Sequence, residues 1–72
     1  MRRMWTIGYR LRDAASGQWT DHAVNFQATD EDAARGLARA YLTAGLKRGN
    51  AMNGIAAGKV AEFTITGARP VA

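Results

Sequence analysis

The chain contains few side chains that could perform catalysis, and they are not placed to act together. His22 is its one histidine, Ser16 is its one serine, and it has no cysteine. A histidine activates a serine only within hydrogen-bond distance, but about 20 Å of extended chain separates these two at ~3.3 Å per residue. A single histidine without cysteine is also too little for a usual zinc site. We interpret His22 as a structural residue and Ser16 as a turn residue.

The carboxylates lack the arrangement that hydrolysis requires. Asp30, Glu31 and Asp32 are contiguous at a predicted helix start, where the helix dipole favours negative charge. Glu62 stands alone on a predicted strand. No carboxylate pair is spaced across a cleft as acid and base. The sequence therefore predicts a protein that is not an enzyme, with no cofactor and no metal site.

Residues 47–58 contain several glycines and two asparagines. Gly49 and Gly54 have the spacing of a Walker A phosphate-binding loop. That loop also needs Lys-Ser/Thr after the second glycine and a helix behind it, whereas Ile55-Ala56 follows here and a strand is predicted next. We therefore predict a flexible Gly/Asn loop, a type of segment that is often functional or disordered in a small domain.

Basic residues give the strongest functional signal. Ten Lys/Arg against six Asp/Glu give a formal net charge of +4, which favours nucleic acid or an acidic protein surface as partner. Trp and Arg are enriched in interface hot spots, and the same groups also bind phosphates and bases. We expect a protein partner, with nucleic acid as the alternative. The predicted partner-binding residues are Arg10, Arg12, Trp19, Lys47, Arg48 and Lys59.

An alternation with a period of two predicts the element that positions the first of these residues. The apolar side chains of one parity are Trp5, Ile7, Tyr9 and Leu11. Arg10 and Arg12 have the other parity. This pattern is typical of a strand with one buried face and one open face. Strands are predicted over residues 4–12, 20–28 and 59–66.

The first two strands are expected to form a hairpin around the turn residues Ser16-Gly17. If both apolar sets share a face, paired residue numbers must sum to an odd value. A four-residue loop over 14–17 gives Gly17 the position where positive φ is easiest. This register pairs Arg10 with Asp21 and Arg12 with Trp19. A two-residue turn at Ser16-Gly17 is the alternative, and it would pair Arg12 with Asp21.

A helix is predicted over residues 30–44. Thr29 is the expected N-cap, because a threonine followed by acids satisfies the first free N–H groups. Gly45 is the expected C-terminal glycine. Residues 67–72, with Pro70, are predicted to form a tail. The expected core stripe of the helix is Ala33, Ala34, Leu37, Tyr41 and Ala44, with Ala38 and Leu42 at its edge.

These elements predict an α+β fold with the order β-β-α-β in two layers. A three-stranded, mainly antiparallel sheet in the order 2-1-3 carries the helix on one face. Its main aromatic side chains should face the helix, unlike the outward aromatics of an RRM. The opposite face should carry Met4, Thr6, Arg10, Arg12, Trp19, Asp21, Val60 and Glu62.

Seventy-two residues form a single small domain over 1–72, near the lower limit of stability for a chain on its own. Without cysteine no disulfide can stabilise it, so a homodimer is expected. No apolar segment follows the basic residues at the start of the chain, so we expect no signal peptide. No apolar run approaches the ~18 residues of a membrane span. These features favour the cytoplasm.

The hairpin, the Thr29-Asp30-Glu31-Asp32 helix start and the returning strand together resemble small phage-encoded inhibitors, including some anti-CRISPR proteins. The resemblance covers residues 4–66 and lies in the architecture, so no functional residue is carried over from it. It implies a non-enzymatic protein that occupies the nucleic-acid-binding or partner-binding surface of a host complex. A structural homo-oligomer is the remaining hypothesis.

Overall fold

The fold of residues 2–71, which a computed structural model describes, is a three-stranded sheet with one helix packed on it. The strands and helix are, in order, β1 (Arg3–Asp13), β2 (Trp19–Ala28), α1 (Glu31–Arg48) and β3 (Val60–Pro70). β1 lies in the centre and pairs antiparallel with both neighbours. The predicted α+β fold and the strand order 2-1-3 are therefore confirmed.

The hairpin of β1 and β2 has the predicted register. Arg10 pairs with Asp21, and Arg12 pairs with Trp19. The four-residue loop is closed by a 2.7 Å hydrogen bond from the Gly17 N–H to a β1 carbonyl. Gly17 has a φ of 75°, a conformation that glycine adopts without steric cost. The alternative two-residue turn is wrong.

β3 departs from the predicted pattern because its pairing with β1 shifts register twice, next to Gly8 and next to Arg12. A register shift reverses the face that the following residues occupy. Val60, predicted on the helix-free face, therefore packs with the core instead. β3 also continues to Pro70, so residues 67–70 belong to a strand and not to a tail. The tail's last residue, Ala72, lies outside the described residues.

The helix begins and ends later than predicted. Asp30, rather than Thr29, is the N-cap, and its Oδ1 accepts a 2.8 Å hydrogen bond from the Ala33 N–H. α1 continues through Gly45 to Arg48, and Gly49, with a φ of 67°, forms the left-handed C-cap. Within the helix, Gly45 provides room for Met52, because a Cβ there would lie 3.2 Å from the Met52 sulfur.

The helix also buries a different stripe from the predicted one. Ala34, Ala38 and Leu42 are fully buried, whereas Leu37 and Tyr41 are 45% and 54% exposed. Two alanines on the inner side let the backbone of α1 approach the sheet closely, and the large side chains of β1 fill the space between the layers. Leu37 and Tyr41 therefore lie on the flank of the helix and not beneath it.

The segment after the helix is packed rather than flexible, which corrects the prediction for 47–58. Its first two residues belong to α1. Met52 and Ile55 are buried in the cluster that also contains Leu42, and their backbones exchange hydrogen bonds of 3.0 and 2.9 Å. The tight turn between them is made by Asn53 and Gly54, both with positive φ. Met52 and Ile55 therefore anchor the segment in the core, while most of its other residues are exposed.

Tyr9 joins this loop to the sheet. Its hydroxyl donates a 2.7 Å hydrogen bond to Asn53 Oδ1, and its ring is buried. Burial raises the pKa of Tyr9, and the neighbouring Tyr41 raises it further. The raised pKa means that the fold favours the neutral phenol.

The packing of the loop predicts that Ile55→Ala is strongly destabilising. Removing a buried isoleucine side chain costs about 2–5 kcal/mol, so we expect a loss in that range from urea unfolding. The exposed neighbour Ala56→Ser is the control and should change the free energy of unfolding by less than about 0.5 kcal/mol. Equal stability of the two variants would contradict a packed loop.

The environment of Tyr9 predicts how stability changes at high pH. As pH rises above the usual pKa of tyrosine, the unfolded chain loses the Tyr9 proton before the folded chain does. The contribution of Tyr9 to the free energy of unfolding therefore decreases as pH rises. Tyr9→Phe should cost about 1 kcal/mol at neutral pH through the lost hydrogen bond. It should also reduce the fall in unfolding free energy between about pH 9 and about pH 11. An unchanged pH dependence would refute the assignment.

Candidate binding surface

The face of the sheet that carries no helix is here termed the open face. Its residues follow from the strand pairing, because directly paired residues project to the same side of a sheet. They are Met4, Thr6, Gly8, Arg10 and Arg12 of β1, Trp19, Asp21, Ala23, Asn25 and Gln27 of β2, and Glu62, Thr64, Gly67 and Arg69 of β3.

Cross-strand polar pairs cover much of the open face. Arg10 Nε lies 2.6 Å from Asp21 Oδ1, and Arg12 Nε lies 3.3 Å from Glu62 Oε1. Glu62, which the sequence analysis treated as isolated, is thus the ion-pair partner of Arg12. Such exposed pairs add at most about 1 kcal/mol to stability. Their main effect is on the surface, where each central arginine has a carboxylate beside it.

Trp19 is the exposed aromatic residue of the open face. Its side chain is 43% exposed, and it lies at the start of β2 directly opposite Arg12. An indole ring beside a guanidinium and a carboxylate combines apolar area with hydrogen-bonding groups of both kinds. This is the composition of a protein-recognition hot spot surrounded by polar residues.

A shallow groove crosses the open face at Gly8. The side-chain positions opposite Gly8 are Ala23 and Gly67, so three small residues in a row leave a depression of about 320 Å³. Thr66 lies at its edge, and a Cβ on Gly8 would be 2.8 Å from the Thr66 Oγ1. The groove was not predicted, although a glycine inside a regular strand often indicates a bulge or a close approach.

The six predicted binding residues form two groups. Arg10, Arg12 and Trp19 lie together on the open face. Lys47 and Arg48 belong to the last turn of α1, on the other side of the sheet. Lys59 lies between them at the hairpin end, where its carbonyl accepts a 2.7 Å hydrogen bond from the hairpin loop. The structure therefore brings three of the predicted residues together and places the other three at a separate basic end.

The side chains first considered for catalysis have structural contacts. The His22 ring packs against Tyr9 with centroids 5.6 Å apart, and its Nε2 is 2.7 Å from Thr20 Oγ1. Ser16 Oγ accepts a hydrogen bond from the Gln18 N–H inside the hairpin loop. Over residues 2–71, no group of three histidine or carboxylate side chains is placed to hold a metal ion.

Comparison of the chain with protein-family models, with curated proteins and with solved structures found no match. Between Arg2 and Val71, no helix is both long enough and apolar enough to cross a membrane. The physical properties of the open face are therefore the basis on which a function is inferred.

The groove geometry predicts energetic coupling between Gly8 and Thr66. In a Thr66→Ala background, Gly8→Ala should be neutral or stabilising, because alanine restricts the unfolded chain more than glycine does. With Thr66 present, the added methyl group must displace the hydroxyl, which costs about 0.5–1.5 kcal/mol. Urea unfolding of the four proteins in this double-mutant cycle measures the coupling, and additive effects would contradict the close contact.

Proposed function

We propose that this protein is a non-enzymatic binding module that docks a protein partner on the hairpin end of its open face. The observation that carries the proposal is the exposed Trp19 indole directly opposite the Arg12–Glu62 pair. A large ring held on a paired strand loses little conformational freedom on binding, which favours affinity. The adjacent charges of both signs would select the partner's orientation.

The charge arrangement supports a protein partner over a nucleic acid. A phosphate approaching Arg10 would also approach the exposed carboxylate of Asp21, 2.6 Å from the guanidinium. The same repulsion would act at Arg12, which has Glu62 beside it. Nucleic-acid surfaces usually combine unpaired basic groups with several stacking rings. A mixed-charge protein surface fits the open face better.

Nucleic-acid binding remains the second candidate, and a different region supports it. Lys47, Arg48 and Lys59 are exposed at the hairpin end, and within residues 2–71 the ion pairs involve other residues. An unpaired basic cluster attracts phosphates without requiring a sequence. This candidate would place the contact at the end of the molecule and not on the open face.

The architecture suggests one specific form of this function. The protein would be an inhibitor of a host complex, encoded by a phage or mobile element and acting in the cytoplasm. Such a protein needs a rigid surface and neither a catalytic group nor a cofactor. A small domain with a hot spot on a paired strand is suited to this role.

The open-face site predicts that Trp19→Ala abolishes partner capture without unfolding the domain. The immobilised wild-type chain and its variants are incubated with native extract, and bound proteins are quantified by mass spectrometry. Proteins specific to the wild type should fall at least about tenfold with Trp19→Ala or Arg12→Ala. Gln27→Ala, on the same strand and face but at the other end, should capture normally. Undiminished capture by both site variants would refute the site.

A salt titration distinguishes the two candidate functions. Labelled DNA and RNA are titrated with the protein at low ionic strength while fluorescence anisotropy is recorded. We expect no saturable binding. Saturable binding that weakens steeply with salt, and that Lys47→Ala and Lys59→Ala reduce, would instead establish the nucleic-acid function.

A further inference from the structure

One flank of α1 carries an apolar stripe that is largely exposed, although its C-terminal part borders a depression that it shares with residues 50–52. Leu37 and Tyr41 are its large exposed residues. The Tyr41 ring lies 6.0 Å from the ring of Phe26, so this flank is on the β2 side of the molecule. Residues three and four apart share one side of a helix. The positions of the stripe are Asp30, Ala33, Leu37, Tyr41, Ala44 and Arg48.

The sheet edge beside this flank is unprotected. β2 is a regular ten-residue edge strand without proline, glycine, lysine or arginine. The opposite edge, β3, has two register shifts, Gly67 and Pro70. Bulges, prolines and charged side chains are the features that keep an edge strand from pairing with another chain. β3 has register shifts and a proline, whereas β2 has neither, and its one charged residue, Asp21, is ion-paired with Arg10 of the neighbouring strand.

We propose that a second copy of this chain pairs with the β2 edge and covers the α1 flank. Twofold symmetry makes the added pair antiparallel, with the same surface used by both copies. The result is a continuous six-stranded sheet with both helices on one face, packed flank to flank. The open face stays accessible in this dimer, so the inference goes beyond the proposed function and does not depend on it.

One twofold axis, placed near the middle of β2, can relate both the two strands and the two helices. Val24 lies four residues before the end of β2, about 13 Å at ~3.3 Å per residue. α1 runs back along the sheet, and the centre between Leu37 and Tyr41 is nine residues after Asp30, about 13.5 Å at 1.5 Å per residue. An axis at Val24 therefore brings Leu37 of each copy against Tyr41 of the other.

Charge complementarity favours a second copy as the occupant. If Leu37 contacts Tyr41 of the second copy, Asp30 lies beside Arg48 of the second copy, because both residue pairs are centred on the same position of the helix. The acidic first turn of each helix, with Glu31 and Asp32, then faces the basic last turn of the other, with Lys47 and Arg48. Antiparallel helix dipoles favour the same arrangement.

The mass of the full chain in solution tests the proposal. Sedimentation velocity from micromolar to submillimolar concentration should give about twice the 7.8 kDa of one chain. Leu37→Glu should weaken dimerisation at least about tenfold, whereas Thr43→Glu, an exposed helix position outside the stripe, should not. Arg48→Glu should weaken it through Asp30, and its neighbour Lys47→Glu should do so much less. Circular dichroism verifies folding of each variant.

Cross-linking provides a readout that does not depend on destabilising the protein. Because the chain lacks cysteine, one introduced thiol reports a single contact. Val24→Cys lies on the proposed axis, directly opposite its own copy, and should form an intermolecular disulfide on mild oxidation. Gln27→Cys, on the same strand but away from the axis, should not.

Two outcomes would overturn the proposal. One is a monomer at all concentrations. The other is a dimer that Leu37→Glu leaves intact and that cross-links no better through Val24→Cys than through Gln27→Cys, which would place the interface elsewhere. Trp19→Ala should leave the dimer unchanged, so failure of the dimer and failure of the proposed function are distinguished.

Discussion

Burial of one side of β1 is the constraint on which the rest of the structure depends. Trp5, Ile7, Tyr9 and Leu11 lie beneath α1, two of them with no exposed surface, and β1 is hydrogen-bonded along both edges. Burying a large apolar side chain contributes about 1.5–3 kcal/mol, so four in one strand dominate the stability of so small a domain. Their positions decide where the helix packs, and therefore which face of the sheet remains open.

This explains which parts of the fold could be predicted from the sequence. The hairpin register follows from the parity of the apolar residues and from Gly17, both local signals. The prediction of the buried helix face was wrong. Alanines give α1 little difference in hydrophobicity between its sides, so packing against the sheet determined which side is buried. The packed loop had an available signal, since Asn53-Gly54 between two apolar residues is a strong turn signature, but the surrounding glycines obscured it.

The positions of the candidate site residues were predictable only where they depend on the hairpin. Arg10 and Trp19 could be placed because their positions depend only on the hairpin. The ion pair of Arg12 with Glu62 could not, since it depends on the register of β3, which changes beside Gly8 and beside Arg12. Such shifts result from close contacts between residues distant in sequence, as where Thr66 lies over Gly8. Lys47, Arg48 and Lys59 were grouped by sequence proximity alone, and the folded chain separates them from the open face.

The row of small residues through Gly8 has a mechanical consequence. It crosses the sheet where β3 changes register, and it coincides with the boundary between two core clusters, one containing Trp5 and Ile7 and the other Tyr9 and Leu11. Val24 and Ile65 are partly buried side chains that pack against both clusters and so bridge this line. Bending motions of the sheet should still concentrate along the row of small residues, with the hairpin end moving as one unit against the rest. Trp19, Arg12 and Glu62 all belong to the hairpin end, so they would keep their relative positions when the sheet bends.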